Sequence, residues 1–310
     1  MKTVEELYSF YQSDLDPLFE PLVEMRNSNQ KKLIRNIFLF SLIPTAVILY
    51  FVFCRFPAII IFLFIIFLSY QTYRIYKYSL KEYSQKLIKK YKSTAFPLLL
   101  GFLFDEYNYL ENQRISAVVL NKSMLINDYI TITEGDDYMK FTLDDTDIML
   151  SEIHALNIYQ DSIFNGIFIS ASFNKEFTSK TFLFPKDIIS SINHIEKQVF
   201  SDFKKVKLED SEFANEFLVL SSDQIEARYI LTTSLMQRIL DYKEKINKKI
   251  SLSFVDNRLY CAIPDQINPF MPESFEDINF NYINTIYEHI KAYTDLIEDL
   301  HLNVRIWNKE

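Results

Sequence analysis

Six carboxylates fall within a short span of this chain: Glu134, Asp136, Asp137, Asp144, Asp145 and Asp147. Acidic side chains on adjacent hairpin loops are the oxygen-rich setting that a hard cation such as calcium or magnesium uses. Asp136, Asp137, Asp145 and Asp147 are the candidate ligands. Their spacing is not the Asp-x-Asp-x-Asp-Gly run of an EF-hand loop, so acidic turns on an acidic domain remain the default reading. A second constellation is Asp223, Glu226 and Arg228, where a strand passes into a helical segment. It reads either as a polar ligand or partner site, with Arg228 holding an anion, or as a helix start favouring acidic groups.

Other chemistries are excluded by residue type and spacing. The chain has three glycines, Gly101, Gly135 and Gly166, too far apart for the P-loop, the dinucleotide fingerprint or a nucleophile elbow. His154, His194, His289 and His301 form no His-x-x-x-His pair, and Cys54 and Cys261 lie in different regions, so zinc patterns and a disulfide framework are missing. No catalytic residue, resident metal or cofactor is assigned. The expectation is a protein that is not an enzyme. A hydrolase or transferase using Asp223, Glu226 or the acidic loops is the competing class.

The elements that position these residues begin with an almost uncharged stretch, Asn36 to Tyr73, interrupted only by Arg55. Two segments, Asn36–Phe53 and Pro57–Tyr73, approach the length a helix needs to cross a bilayer, and the sequence predicts a two-helix transmembrane hairpin. Lys31, Lys32 and Arg35 precede it, and Arg74, Lys77 and Lys81 follow it, a basic cluster expected to face the membrane with both termini cytoplasmic. Charge divides along the chain. Residues 1–92 carry 13 Lys and Arg against 7 Asp and Glu, and residues 93–310 carry 20 against 34. A net of +6 near lipid suits an anionic leaflet, and −14 beyond it argues against nucleic acid.

Apolar stripes at helical spacing flank the hairpin: Val4, Leu7, Tyr11, Leu15, Leu18, Leu22 and Met25 before it, and Tyr73, Tyr76, Leu80, Tyr83, Leu87 and Tyr91 after it. They predict a short helical stalk, with a break at Asp16-Pro17 where the aspartate would cap a new helix. From Ile115 the pattern becomes strand-like, with strands over Ile115–Leu120, Leu125–Thr133, Asp137–Leu143, Asp147–Ile153, Asn165–Phe173 and Thr178–Phe184. A helix over Lys186–Phe203 follows. Val206–Leu208 and Phe217–Leu220 then read as strands, and a helix starts near Ser234. A hairpin turns at Asp256-Asn257, a helix spans about Asp277–Leu300, and a terminal strand covers Leu302–Ile306.

The fold class is therefore α+β: a β-rich antiparallel sheet or partial barrel followed by a mixed region, on the helical hairpin and stalk. The divisions are 1–33 (stalk), 34–73 (hairpin), 74–110 (basic helix and linker), 111–205 (β-rich subdomain ending in a helix) and 206–310 (α+β subdomain).

Several runs resemble a bacterial membrane-protein family catalogued as domain of unknown function 3137. They are Glu134-Gly135-Asp136-Asp137-Tyr138, Thr146 through Ile153, Phe164 through Phe168, Val206 through Asp210 with Phe213 and Phe217, Asp223 through Thr232, and the pair Ser251–Val255 and Leu259–Ile263. The resemblance covers most of residues 1–300. It implies a short N-terminal helix, two membrane segments and a cytoplasmic α+β region, and it carries no established activity. The functional expectation is a membrane-anchored, non-enzymatic binding or scaffolding protein of a bacterial inner membrane. Its partners would be the bilayer and a second protein or further copies of itself. The alternative is a membrane effector or sensor in which a cytoplasmic signal rearranges the hairpins.

Overall fold

The computed structural model describes residues 2–53, 66–67, 70–71, 73–74, 77–78, 88–126, 128–143, 146–173, 177–186, 202–265, 268–270 and 279–299. The chain divides into two compact units. One comprises Leu100–Phe270 and Thr285 onward, and the other Lys2–Leu99 and Met271–Asn284.

The second unit opens with α1 (Val4–Phe10), capped by Thr3 in a full capping box with Glu6. Instead of breaking at Asp16-Pro17, the helix widens into a π turn over Tyr11–Leu15 and continues as α2 (Asp16–Phe53). Asp16 is helical rather than capping, and its N–H reaches back to the Tyr11 carbonyl. The same device recurs at Tyr91–Ala95, where the Phe96 N–H bonds the Tyr91 carbonyl and α3 (Phe96–Leu103) begins. Both turns end two residues before a proline, Leu15 before Pro17 and Ala95 before Pro97. A proline lacks the N–H that would hold the carbonyl four residues back and its ring crowds that carbonyl, so a wider turn relieves both conflicts. The shared pattern is Tyr-x-Ser-x-x-x-Pro-Leu, at Tyr11–Leu18 and Tyr91–Leu98. Each π-turn tyrosine is buried, Tyr11 with its ring 5.6 Å from Phe280 and Tyr91 with its ring 6.0 Å from Tyr282. The extra residue shifts the apolar phase, which is why Phe19 is buried while Leu18 is only half-buried.

The transmembrane hairpin of the sequence reading is overturned. Among the described residues, no helix is long and apolar enough to cross a membrane. Asn36–Phe53 does not stand as a separate apolar rod. It is the later part of the 38-residue α2, whose earlier part carries Glu20, Glu24, Lys31, Lys32 and Arg35. Most of Pro57–Tyr73 lies outside the described residues.

Among the described residues, the first unit is built on one antiparallel sheet of ten strands: β1 (Tyr107–Leu110), β2 (Ile132–Glu134), β3 (Tyr138–Leu143), β4 (Thr146–Leu156), β5 (Ser162–Ser172), β6 (Thr181–Pro185), β7 (Lys204–Lys205), β8 (Phe217–Ser221), β9 (Ser251–Val255) and β10 (Arg258–Pro264). Their order is β1-β3-β4-β5-β10-β9-β6-β8-β7, with β2 also on β4, so strands from both sides of residue 205 share one sheet. β6 and β8 are buried at every position rather than at alternate ones, as expected where both sheet faces are covered. On one face Phe168, Phe182, Phe184, Leu218, Leu220 and Tyr260 pack with Ile115, Leu120 and Leu125.

Most expected strands are present, and the hairpin at Asp256-Asn257 has both turn residues at positive φ, 51° and 55°. Ile115–Leu120 differs. It contributes to a helix, α4 (Ala117–Ser123), entered from extended Ser116 and closed by left-handed Met124. Of Leu125–Thr133 only the end pairs, as β2. The strand near Val206 is the two-residue β7 just before it. The remaining helices are α5 (Ser211–Glu216), α6 (Gln224–Ile230), α7 (Thr233–Ile246) and α8 (Phe280–Asp299). α7 begins two residues earlier than the capping box at Ser234 implies, capped instead by Thr232. The helix expected at Lys186–Phe203 and the strand at Leu302–Ile306 fall largely or wholly outside the described residues.

Candidate functional site

Within the first unit, β2 and β3 run end to end along the same side of β4. Glu134 pairs with His154 and Met139 with Leu150. Between these pairs the β2–β3 side holds Gly135 through Tyr138 and the β4 side only Ser151 through Ile153, so one extra residue must bulge. Gly135 permits it. Its φ is +119°, and a Cβ there would meet the Glu152 carbonyl oxygen at 2.3 Å. Asp137 follows at φ +58° and is fully buried.

The bulge turns Asp136 and Asp137 toward Glu152, and oxygens of the three carboxylates lie within 4.8 Å of one another. Asn268, on the loop after β10, meets all three. Its Nδ2 donates to Asp136 Oδ1 and Asp137 Oδ2, each at 3.3 Å, and to Glu152 Oε2. Its Oδ1 accepts from the Phe270 N–H at 2.8 Å, which fixes the amide with its hydrogens toward the acids. Tyr109 on β1 donates to Asp137 Oδ1 at 2.6 Å. Burial first, and the Asp137 carboxylate next, push the Tyr109 phenol far above its ordinary value, so it stays a donor at any physiological pH.

Asp136, Asp137 and Glu152 are the group among the described residues that could hold a hard cation through oxygen. The Asn268 amide stands at their common point and supplies neutral donors there. Replacing Asn268 with alanine leaves the acids facing one another without those hydrogens. The expected result is a loss of about 1–3 kcal/mol at neutral pH, measured by urea denaturation.

The other acids of the cluster go elsewhere. Asp147 is exposed on β4, accepting from Thr142 Oγ1 at 3.4 Å, and Asp144 and Asp145 lie outside the described residues. Glu134 faces His154 at 3.3 Å, and the other nitrogen of that ring meets Ser162 Oγ at 3.0 Å. Sequence spacing pointed to Asp136 and Asp137. It gave no signal for Glu152, Asn268 and Tyr109, which the sheet register and the loop after β10 bring in from a distance.

Asp223, Glu226 and Arg228 are brought to one helix, each in a supporting role. Asp223 is the N-cap of α6, accepting from the N–H of Ile225 at 2.7 Å and of Glu226 at 3.0 Å. Arg228 donates to the Lys207 carbonyl from Nε and Nη2. Glu226 accepts from the backbone of Thr178 and Ser179, holding the loop that leads into β6.

Burial by itself would raise the Glu226 carboxyl. The hydrogen bonds from Ser179 and Thr178 outweigh it and hold the group below its ordinary 4.5. A depressed carboxyl stabilises the fold above its unfolded value and loses that contribution as pH falls through its folded value. Glu226→Gln is therefore expected to cost about 1 kcal/mol near pH 7, the site being partly solvated. The gap from the parent should narrow as pH falls below 4.5 and through the lower folded value, read by urea midpoints across a pH series.

The basic cluster on the second unit is solvent-facing where described: Lys31, Lys32, Arg35, Arg74 and Lys77 are all exposed. Lys81 is outside the described residues. Cys261 is fully buried in β10, and burial alone pushes its thiol far above the usual range, so it is inert.

No curated protein matches the chain. Among solved structures, the crystal structure of the mycobacterial trehalose monomycolate transport factor A is similar over 62% of this chain and 88% of its own, at 8% identity and a TM-score of 0.34. A likeness that slight defines no common fold. The sequence carries the closer relation: over residues 162–302, from β5 through α8, the chain matches the family described as Protein of unknown function (DUF3137), the family its signature runs resemble.

Proposed function

We propose that this chain is a non-enzymatic binding or scaffolding protein whose sheet unit recognises a second protein. One observation carries the reading. The polar residues best placed for chemistry are engaged in holding the fold, while large apolar side chains stand in solvent on the same unit. Asp223 caps α6, Glu226 clamps the loop before β6, Arg228 ties α6 to the Lys207 carbonyl, and Asp136, Asp137 and Glu152 share the Asn268 amide. Ile158, Tyr159 and Tyr129 are instead 73%, 81% and 71% exposed. Binding proteins combine a rigid scaffold with apolar anchors in this way, whereas a catalytic site keeps its acids and bases open to substrate.

The membrane-spanning hairpin is no part of this reading. Affinity purification of the full chain from cells of the source organism, followed by mass spectrometry, tests it. The expected result is one protein recovered in near-equal amount with the chain. A chain recovered alone, or with a small molecule that it converts, would overturn the proposal.

A further inference from the structure

We infer that the tip of the β4–β5 hairpin is the docking point, and that its partner is a protein presenting an apolar socket rimmed by lysine or arginine. This rests on the binding reading above and gives it a place and a chemistry.

The tip is residues Asn157 to Asp161. Asn157, 7% exposed, organises it. Its Oδ1 accepts from the N–H of Tyr159 at 2.9 Å and of Asp161 at 3.0 Å, while its carbonyl takes the Gln160 N–H at 3.0 Å. Its own N–H returns to the Asp161 carbonyl at 3.1 Å, and Gln160 adopts the left-handed conformation at φ +64°. Asn157 Nδ2 also reaches Asp128 Oδ2 at 3.0 Å, which ties the tip to the loop that carries Tyr129. Two segments are thus locked together by side-chain hydrogen bonds before any partner arrives.

Turn positions are normally polar, because turn residues face water on all sides. Here Ile158 and Tyr159 occupy the outermost positions, and Tyr129 stands on the tied loop. One exposed hydrophobe is ordinary. Three on two cross-linked segments make a patch. A preordered patch loses little conformational freedom on docking, and tyrosine is among the residues that anchor interfaces most often.

The rim selects the partner. Asp128 and Asp161 are both exposed beside the apolar side chains, on a part of the chain that carries a net −14. Two carboxylates at the point of contact would be repelled by an anionic lipid surface and attracted by a socket edged with basic side chains.

The test uses the full chain with a photoreactive phenylalanine analogue at position 159, expressed in cells of the source organism. A second chain carries the analogue at Ile225, equally exposed on α6. Position 159 should give one discrete protein adduct, with the crosslinked peptide placing Lys or Arg beside apolar residues. Ile158→Ser should abolish it, and Asp128→Asn with Asp161→Asn should reduce it about tenfold. The thermal midpoint should stay unchanged in Ile158→Ser, whose side chain is exposed, and an asparagine at 128 keeps an oxygen to accept from Asn157 Nδ2, so the double variant should stay folded with the tip in place. Position 225 should not give the same adduct. Lipid adducts, adducts between two copies of this chain, or no adduct at 159 would each overturn the inference. A stoichiometric partner crosslinked elsewhere would leave the binding reading standing and sink only this site. No partner by either route would sink both.

Discussion

Gly166→Ala is expected to destabilise the sheet unit by at least about 3 kcal/mol, combining backbone strain of roughly 1–3 kcal/mol with a steric clash that only strand separation can relieve. Gly166 lies in β5 between Ile153 of β4 and Pro264 of β10, at φ +151°. A Cβ at that position would sit 2.2 Å from the Ile263 carbonyl oxygen and 2.6 Å from the Asp265 nitrogen. Both are backbone atoms of the neighbouring strand or its exit, so no side-chain rotation makes room. The Asp265 N–H also bonds the Asn165 carbonyl at 3.0 Å, and pushing the strands apart weakens that link. Gly101→Ala is the control. There the nearest atoms to a Cβ belong to the side chain of Tyr107, the first at 3.3 Å, and the glycine is in a helix where alanine is favoured. The two variants should differ by about 3 kcal/mol or more in urea denaturation, or roughly 6–12 °C in the thermal midpoint of that unit. Equal midpoints would show that β5 and β10 can part at that point without penalty.

That close approach is the kind of feature a sequence shows only in outline. Gly135 and Gly166 fall in strand-rich sequence, but the strand each one touches is fixed by register across the sheet. Local pattern sufficed for Tyr138–Leu143, Phe217–Ser221 and the Asp256-Asn257 hairpin, where alternation, a short apolar run and a two-residue turn act within a few residues. It failed at Ile115–Leu120. The β-branched run there looked like a strand, yet Leu120 and Ile115 reach the core from a loop and a short helix, so burial overrode propensity. The π turns were legible in principle, as a repeated Tyr-x-Ser-x-x-x-Pro-Leu that a search for longer periods passes over. At Asp16-Pro17 the cap reading lost because a proline can also be absorbed inside a helix by widening the preceding turn. Apolar length alone suggested the transmembrane hairpin. The helix that contains its first segment continues back through a charged half, and nothing in the apolar segment itself reveals that continuity. The candidate acidic site was half visible. Asp136 and Asp137 announce themselves by density, while Glu152 and Asn268 arrive through pairing and loop closure.

Phe182→Ala should cost about 3–5 kcal/mol. Phe182 is fully buried in β6, which lies between β9 and β8. Its ring stacks at 10° on Phe184, centroids 6.2 Å apart, and meets Phe203 edge-on at 5.0 Å. Removing it deletes a large apolar surface and takes one ring contact from each of Phe184 and Phe203, in a place where strands on both sides prevent collapse. Phe182→Leu keeps most of the volume and should lose less than half as much. The comparison with the hairpin tip decides how the molecule divides its apolar residues. Tyr159→Ser removes an equally large ring from a position 81% exposed, and should leave the urea midpoint within about 0.5 kcal/mol of the parent. If Tyr159→Ser were as damaging as Phe182→Ala, the tip would belong to the core and could not be a surface kept free for a partner. If Phe182→Ala alone is damaging, the exposed apolar side chains contribute nothing measurable to folding, and their presence calls for the interaction inferred above.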